Sequence, residues 1–163
     1  MQHILIFRCL YLKPTTMRAI FLQIIVCLTL FACKKEYSGN GSQTATGLAG
    51  KWRMVSVKDN STNIVTTKPS SITGNVDITF TFSSPVEGIM DGVTPTNSLS
   101  AAYTTGNNAT LSIPAVGRSK TEETTWGELF LDNITYSTNF TFDNAGKLNI
   151  NTSTNKTLAF LRR

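Results

Sequence analysis

The sequence predicts a mainly β domain of the α+β class: a small antiparallel sheet or partly closed barrel with one short helix. Three observations predict it. Apolar and polar residues alternate with period two along several segments, turn residues separate those segments, and one stretch near residues 119–134 has helical spacing instead. Such alternation indicates strands with one face on a core and the other face in water.

The first predicted strands follow a change from polar to alternating sequence near Leu48. In "GKWRMVSV", Trp52 and Met54 lie on one face and Val57 lies on the other. The segment "NVDITFTF" is a cleaner strand, because threonines suit its solvent-facing positions. Its apolar side chains all fall on one side: Val76, Ile78, Phe80 and Phe82.

Turn residues join the later strands. "SLSAAYT" and "ATLSIP" flank Thr105-Gly106-Asn107-Asn108, which favours a hairpin. The segment "NFTFDNAGKLNINTSTNKTLAFLRR" divides into three final strands at Asp143–Gly146 and Thr152–Asn155. Their predicted inward side chains are Phe140, Phe142, Leu148, Ile150, Leu158 and Phe160.

One segment, "SKTEETTWGELFLDNI" at residues 119–134, predicts a helix that precedes the three final strands. Ser119 with Glu122 can form a capping box, and Thr125 with Glu128 is an alternative start. Its apolar residues fall on one helical face: Trp126, Leu129, Phe130 and Ile134.

An apolar run near the N-terminus predicts a targeting segment. Ala19–Ala32 carries no charge. It is too short for a transmembrane helix, which needs roughly 20 apolar residues. It fits the apolar part of a secretory signal with Arg18 as the positive flank. We therefore expect residues 1–32 to be a signal peptide. We also hypothesise that translation starts at Met17, because a signal does not need the apolar run upstream.

The end of this run, "LFAC" at Leu30–Cys33, resembles the lipobox of bacterial lipoproteins. The resemblance implies that Cys33 is acylated, becomes the first mature residue and is acylated again on its amino group. Two or three acyl chains give stable anchoring, where one gives only marginal binding. The alternative is an ordinary signal peptide with an incidental cysteine.

The lipobox resemblance sets the expected organisation of the rest. Residues 33–47 are rich in Gly, Ser, Thr and Asn, which predicts a flexible lipid-anchored linker. Residues 48–163 then form the β domain. In the best-known lipoproteins an aspartate after the cysteine retains the protein in the inner membrane. Lys34 stands at that position here, so the resemblance favours the outer membrane of the bacterial cell envelope. The side of that membrane stays open.

Histidine and cysteine usage restricts the chemistry of the expected mature protein. His3, Cys9 and Cys27 all precede Cys33, so residues 48–163 contain neither residue type. This excludes disulfides within the domain, zinc sites built from His and Cys, a cysteine nucleophile and a Ser-His-Asp triad. We expect no metal, no cofactor and no enzymatic activity.

Charge patterning also argues against two specific activities. From Cys33 onward the chain has 12 Lys+Arg and 10 Asp+Glu, so its net charge is small. It has no cluster of basic and aromatic residues of the kind that binds nucleic acid, and we expect no nucleic-acid partner. Glu87 and Asp91 in "VEGIMDG" can face the same way on a strand, as an acid/base pair requires. Without supporting aromatic residues we interpret them as solvated strand residues.

The segment "GLAGKW" resembles the Gly-x-Trp opening of lipocalins and of META-domain proteins of the HslJ type. In lipocalins the tryptophan closes one barrel end and packs on a basic residue near the C-terminus, a part that Arg162 or Arg163 can take. The remaining layout is more similar to META domains, although their frequent cysteine before the asparagine is Thr96 here. The matching positions are Leu48, Gly50, Trp52, Phe80 or Phe82, Gly92, Asn97, Tyr103, Leu111, Ile113, Thr121, Trp126, Phe130, Leu148, Leu158 and Phe160.

These features predict a lipid-anchored envelope lipoprotein with a non-enzymatic β-rich interaction or stress-related module. Its expected partner is the membrane, through the lipid anchor, and a protein partner stays open. The alternative is a lipocalin-like carrier of a small apolar ligand. The residues expected to line its ligand site, or otherwise the core, are Trp52, Ile78, Phe80, Tyr103 and Phe140.

Overall fold

The computed structural model describes residues 47–119 and 121–163, which form ten antiparallel strands and one α-helix. The predicted signal peptide, Cys33 and the predicted linker as far as residue 46 lie outside the described residues. The helix, α1, spans Thr125–Ile134. The strands are β1 Gly50–Asp59, β2 Val65–Thr67, β3 Asp77–Phe82, β4 Glu87–Val93, β5 Ser98–Thr105, β6 Leu111–Ser112, β7 Gly117–Arg118, β8 Ser137–Phe142, β9 Leu148–Thr152 and β10 Lys156–Arg162.

Eight of the strands form a nearly closed barrel, which confirms the predicted mainly β class with a short helix before three final strands. They pair in the order β6-β5-β4-β3-β1-β10-β9-β8, while β2 pairs with β1 and β7 pairs with β5. The chain therefore runs up and down around the barrel, and its first and last strands are neighbours. The two ends of this path meet at an isolated bridge between Thr110 and Asn139.

The register of the strands defines two ends of the barrel. One end is called the tether end here, because it contains Gly47, which follows the predicted linker and leads into β1. At this end Trp52 pairs with Arg162, near the last residue of β10. At the opposite helix end, β1 finishes at Asp59 beside the start of β10. The helix α1 crosses this second end, and Asn133 near its last turn accepts a hydrogen bond from Thr154 in the β9–β10 turn at 2.8 Å.

A β-bulge in β1 corrects the alternation predicted for that strand. The register with β10 shifts between Met54 and Ser56, so Val55 is an extra residue. Because a bulge reverses the faces of the residues that follow it, Val57 lies inside the barrel and is 3% exposed. The prediction that Val57 lies on the face opposite Trp52 and Met54 was wrong, because all three side chains are buried in the barrel.

The helix starts between the two predicted capping positions. Its N-cap is Thr124, whose hydroxyl accepts a hydrogen bond from the Gly127 N–H at 3.2 Å, one residue before the predicted Thr125. Ser119, the other predicted start, instead donates to Asn97 at 3.0 Å. The predicted apolar face does pack on the core through Trp126, Leu129, Phe130 and Ile134.

Glycine in β4 makes room for an aromatic side chain in the barrel interior. A Cβ atom on Gly88 would overlap the carbonyl oxygen of Thr81 and the hydroxyl of Tyr103, the residue opposite in β5. A larger residue does not fit at that position. Glu87 and Asp91 alternate with these inward positions and are both exposed, which agrees with solvated strand residues.

Candidate functional site

Trp52 closes the tether end of the barrel. Its indole N–H donates to the carbonyl of Leu48 at 2.8 Å, and its ring stacks with Phe142 at a centroid distance of 5.8 Å. The guanidinium carbon of Arg162 lies 4.7 Å from the tryptophan ring centroid, in a cation–π contact. The basic residue that packs on this tryptophan is therefore Arg162 and not Arg163.

Arg162 also holds the segment that leads into β1. Its Nη2 donates to the carbonyl of Gly47 at 3.1 Å and to that of Ala49 at 3.3 Å. Gly50, the first residue of β1, has a φ of +128°, a conformation that favours glycine. One planar guanidinium, with several donors in a fixed geometry, thus fixes both the tryptophan and the chain before it.

An ion-pair cluster beside the tether end connects β1, β3 and the C-terminal arginine. Arg53 donates to both carboxylate oxygens of Asp77, at 2.7 and 2.9 Å, and Arg163 donates to the same carboxylate at 2.7 Å. The hydrogen bond from Arg53 lowers the pKa of Asp77 despite its partial burial. The same bond raises the pKa of Arg53. Paired, charge-assisted bonds of this kind are among the stronger hydrogen bonds in proteins.

The five residues predicted to line a ligand site or the core all belong to one buried hydrophobic cluster. Trp52, Ile78, Phe80, Tyr103 and Phe140 are each at most 1% exposed. The rings of Phe80 and Tyr103 meet edge to face at a centroid distance of 5.1 Å. The structure therefore brings these residues together, and their role in binding a ligand stays a prediction.

Several buried polar atoms in the barrel find no hydrogen-bond partner among the described residues. They include the hydroxyls of Tyr103 and Thr105, two inward neighbours on β5, and the indole N–H of Trp126. Burial raises the pKa of Tyr103 to about 12, so its hydroxyl stays neutral and can donate. An unpaired buried polar group costs about 1–3 kcal/mol. A water molecule or a polar ligand atom at these positions would therefore be stabilised.

A second polar cluster at the helix end fixes the segment that precedes α1. The carboxylate of Glu123 accepts hydrogen bonds from the Thr94 hydroxyl, from the Asn97 amide at 2.9 Å and from the Thr124 N–H at 2.9 Å. Asn97 also pairs with the backbone of Thr121 at 2.9 and 3.0 Å. Burial acts to raise the pKa of Glu123, but the hydrogen bonds lower it overall. The sequence did not predict this cluster, because alternation gives no signal for contacts between a turn and a distant segment.

Residues 47–119 and 121–163 contain no group of three or more His, Cys, Asp or Glu side chains placed to hold a metal ion. Within the same ranges, no helix is both long enough and apolar enough to cross a membrane.

The fold and the site define a small antiparallel β-barrel domain, and two solved structures resemble it. An NMR structure of a protein from Burkholderia xenovorans has a TM-score of 0.56 at 18% identity, over 71% of this chain and 83% of that chain. A crystal structure of a DUF4847 family protein from Bacteroides vulgatus has a TM-score of 0.53 at 14% identity, over 71% of this chain and 94% of that chain. These identities show a shared fold alone. No protein-family model and no curated protein matches the chain.

We expect Arg162→Ala to loosen the tether end and lower the free energy of unfolding by about 1 kcal/mol, because the cation–π contact is lost together with two hydrogen bonds. Both proteins carry Trp126→Phe, so that Trp52 is the one remaining tryptophan. Acrylamide should then quench the fluorescence of Trp52 more strongly in Arg162→Ala than in the protein that keeps Arg162. Lys51→Ala, an exposed neighbour on β1, is the matched control. Equal quenching in the two variants would contradict the closing role of Arg162.

Acid should destabilise the helix end through Glu123. The folded-state pKa of Glu123 is lowered, so its contribution to stability is complete above the unfolded-state value of roughly 4.3 and is lost as pH falls through the folded-state value. Thr94→Val removes one donor and brings the folded-state pKa of Glu123 closer to the unfolded-state value, so the acid-induced loss of stability should be smaller and should be complete at a higher pH. Urea unfolding between pH 3 and 7 measures this. Thr104→Val, at an exposed position on β5, should keep the wild-type profile, and matching profiles for both variants would rule the mechanism out.

Proposed function

We propose that this chain is a bacterial lipoprotein that is anchored in the cell envelope, in the outer membrane, by acyl chains on Cys33. Its barrel is a non-enzymatic interaction or stress-related module. The observation that carries this proposal is the order of segments: an apolar run that ends in "LFAC", a polar segment, and then the barrel. Two or three acyl chains supply a stable attachment without a transmembrane helix.

The placement of the acidic residues supports a module without catalytic chemistry. Glu87 and Asp91 are exposed on the outer face of β4, and Asp91 accepts a hydrogen bond from Ser100 at 2.6 Å. Asp77 and Glu123 are engaged in contacts that hold strands and the helix together. Carboxylates used in this way are structural, whereas acid/base catalysis requires two of them to converge on a substrate.

The META-domain resemblance supports the same proposal through positions that stabilise the barrel. Leu48, Trp52 and Phe130 are buried, and the buried Asn97 organises the segment before α1. This chain therefore resembles META domains in the packing and order of its elements. META-domain proteins are associated with the cell envelope, as is proposed for this chain. The contact between Arg162 and Trp52 is the feature it would share with lipocalins.

Metabolic labelling with an alkyne analogue of palmitate tests the anchor. We expect the wild-type chain to be labelled and Cys33→Ala to lose all labelling, because the thiol of Cys33 is the proposed acylation site. Cys27→Ala, which changes a cysteine inside the leader, is the matched control and should be labelled as strongly as the wild type. Equal labelling of Cys33→Ala and wild type would refute the proposal.

The second candidate is a carrier of a small, largely apolar ligand with one polar group. It is favoured by the buried hydroxyls of Tyr103 and Thr105, which have no partner among the described residues. Their neighbours in the barrel are aromatic and aliphatic, as is typical of sites for apolar ligands. A ligand oxygen that accepts from Tyr103 would stabilise the otherwise unpaired donor.

Mass spectrometry of organic extracts from the purified protein tests the carrier. We expect a co-purifying small molecule whose occupancy falls about tenfold in Tyr103→Phe, since one buried hydrogen bond is worth about 1.4 kcal/mol in binding. Tyr136→Phe removes a hydroxyl from an exposed tyrosine and should leave the occupancy unchanged. An extract of wild-type protein without such a molecule would eliminate the carrier.

A further inference from the structure

Basic side chains are concentrated at the tether end of the barrel. The described basic residues there are Lys51, Arg53, Lys147, Arg162 and Arg163, against the acidic residues Asp77, Glu87 and Asp143. The half of the barrel that carries α1 has the opposite balance. Its acidic residues are Asp59, Asp91, Glu122, Glu123, Glu128 and Asp132, and its described basic residues are Lys58, Lys68, Arg118 and Lys156.

The positive charge at the tether end is only partly neutralised by ion pairs among the described residues. Arg162 binds two carbonyls and an aromatic ring, none of which carries a charge. Arg163 and Arg53 share the single carboxylate of Asp77, which leaves that cluster with one net positive charge. Lys51 is exposed and Lys147 is partly exposed. This end therefore attracts anions.

Two exposed apolar side chains accompany these charges. Val86, in the β3–β4 hairpin at the tether end, is 51% exposed, and its carbonyl accepts a hydrogen bond from the Thr105 N–H at 2.7 Å. Leu161 is 46% exposed beside Arg162 on β10. An exposed apolar residue beside a basic one, as Leu161 is beside Arg162, suits the boundary between phospholipid headgroups and acyl chains.

Along the chain, Gly47 is the described residue nearest to the proposed anchor. Cys33 lies fourteen residues before Gly47, and a chain of that length spans at most roughly 50 Å. Gly47 itself is held at the tether end by Arg162. Because the connection confines the barrel near the bilayer, weak contacts with headgroups operate at a high effective concentration.

We propose that the tether end docks on the anionic headgroups of the phospholipid bilayer in which Cys33 is anchored. Lys51, Lys147 and Arg163 bind lipid phosphates, and Val86 reaches the interface. The helix α1 then faces away from the membrane. This inference rests on the proposed acylation of Cys33, and it adds the orientation of the barrel and the lipid class that it contacts.

Fluorescence quenching by headgroup-labelled nitroxide lipids tests the orientation. The acylated full-length protein is purified from membranes and reconstituted into vesicles of phosphatidylethanolamine and phosphatidylglycerol. A fluorophore is attached at Val86→Cys on the tether end or at Thr125→Cys on the helix end. We expect at least threefold stronger quenching at position 86, and a smaller difference in phosphatidylcholine vesicles or at 0.5 M salt, where charge interactions are screened.

Charge reversal supplies the matched comparison. The difference in quenching between the two labels should disappear in a double variant of the tether end, Lys51→Glu with Lys147→Glu. The control makes the same change of charge on the other half of the barrel, with Lys58→Glu and Lys68→Glu, and should preserve the difference. Equal quenching at both positions in acylated, vesicle-bound wild type would overturn the docking and leave the anchor intact. A chain that mass spectrometry shows to lack acyl groups would instead overturn the anchor, and this inference with it.

Discussion

The contact between Arg162 and Trp52 is the interaction on which the rest of the barrel depends. Trp52 belongs to the first strand and Arg162 to the last, and the two residues are opposite each other in the register. The pairing of these two strands joins β1–β6 and β8–β10 into one sheet, whose ends then meet at the bridge between Thr110 and Asn139, and it removes two exposed strand edges. The entropy of closing so long a loop opposes this pairing. A contact that combines packing on Trp52 with hydrogen bonds to two carbonyls offsets part of that cost.

The alternation of apolar and polar residues predicted the strands whose conformation depends mainly on their own residues. The alternation in "NVDITFTF" predicted β3 and its inner face, because Ile78 and Phe80 must reach a core whatever their neighbours are. The same reasoning predicted the three final strands. It was wrong at Val57, because the bulge at Val55 is set by the register of β1 against β10, and that register is not a local property of the strand.

The contacts of the candidate site were less predictable, for related physical reasons. Three residues near the start of α1 can act as N-caps, and Thr124 is selected because Glu123 is held on the β4–β5 turn. Nothing in the spacing of Asn97 and Thr121 indicates that they pair across the fold. The resemblance to lipocalins did indicate a basic partner for Trp52, but only the register with β10 distinguishes Arg162 from Arg163.

The two ends of the barrel are closed by interactions that respond differently to their surroundings. At the tether end, an arginine covers Trp52, and arginine keeps its charge at any physiological pH. At the helix end, the carboxylate of Glu123 holds the segment before α1, and protonation removes its strongest hydrogen bonds. Protonation of Glu123 therefore loosens the helix end, while Arg162 keeps its charge over Trp52 at the tether end. If the tether end lies on the bilayer, the end that responds to its surroundings is the one turned toward solvent, where a ligand or a partner can reach it.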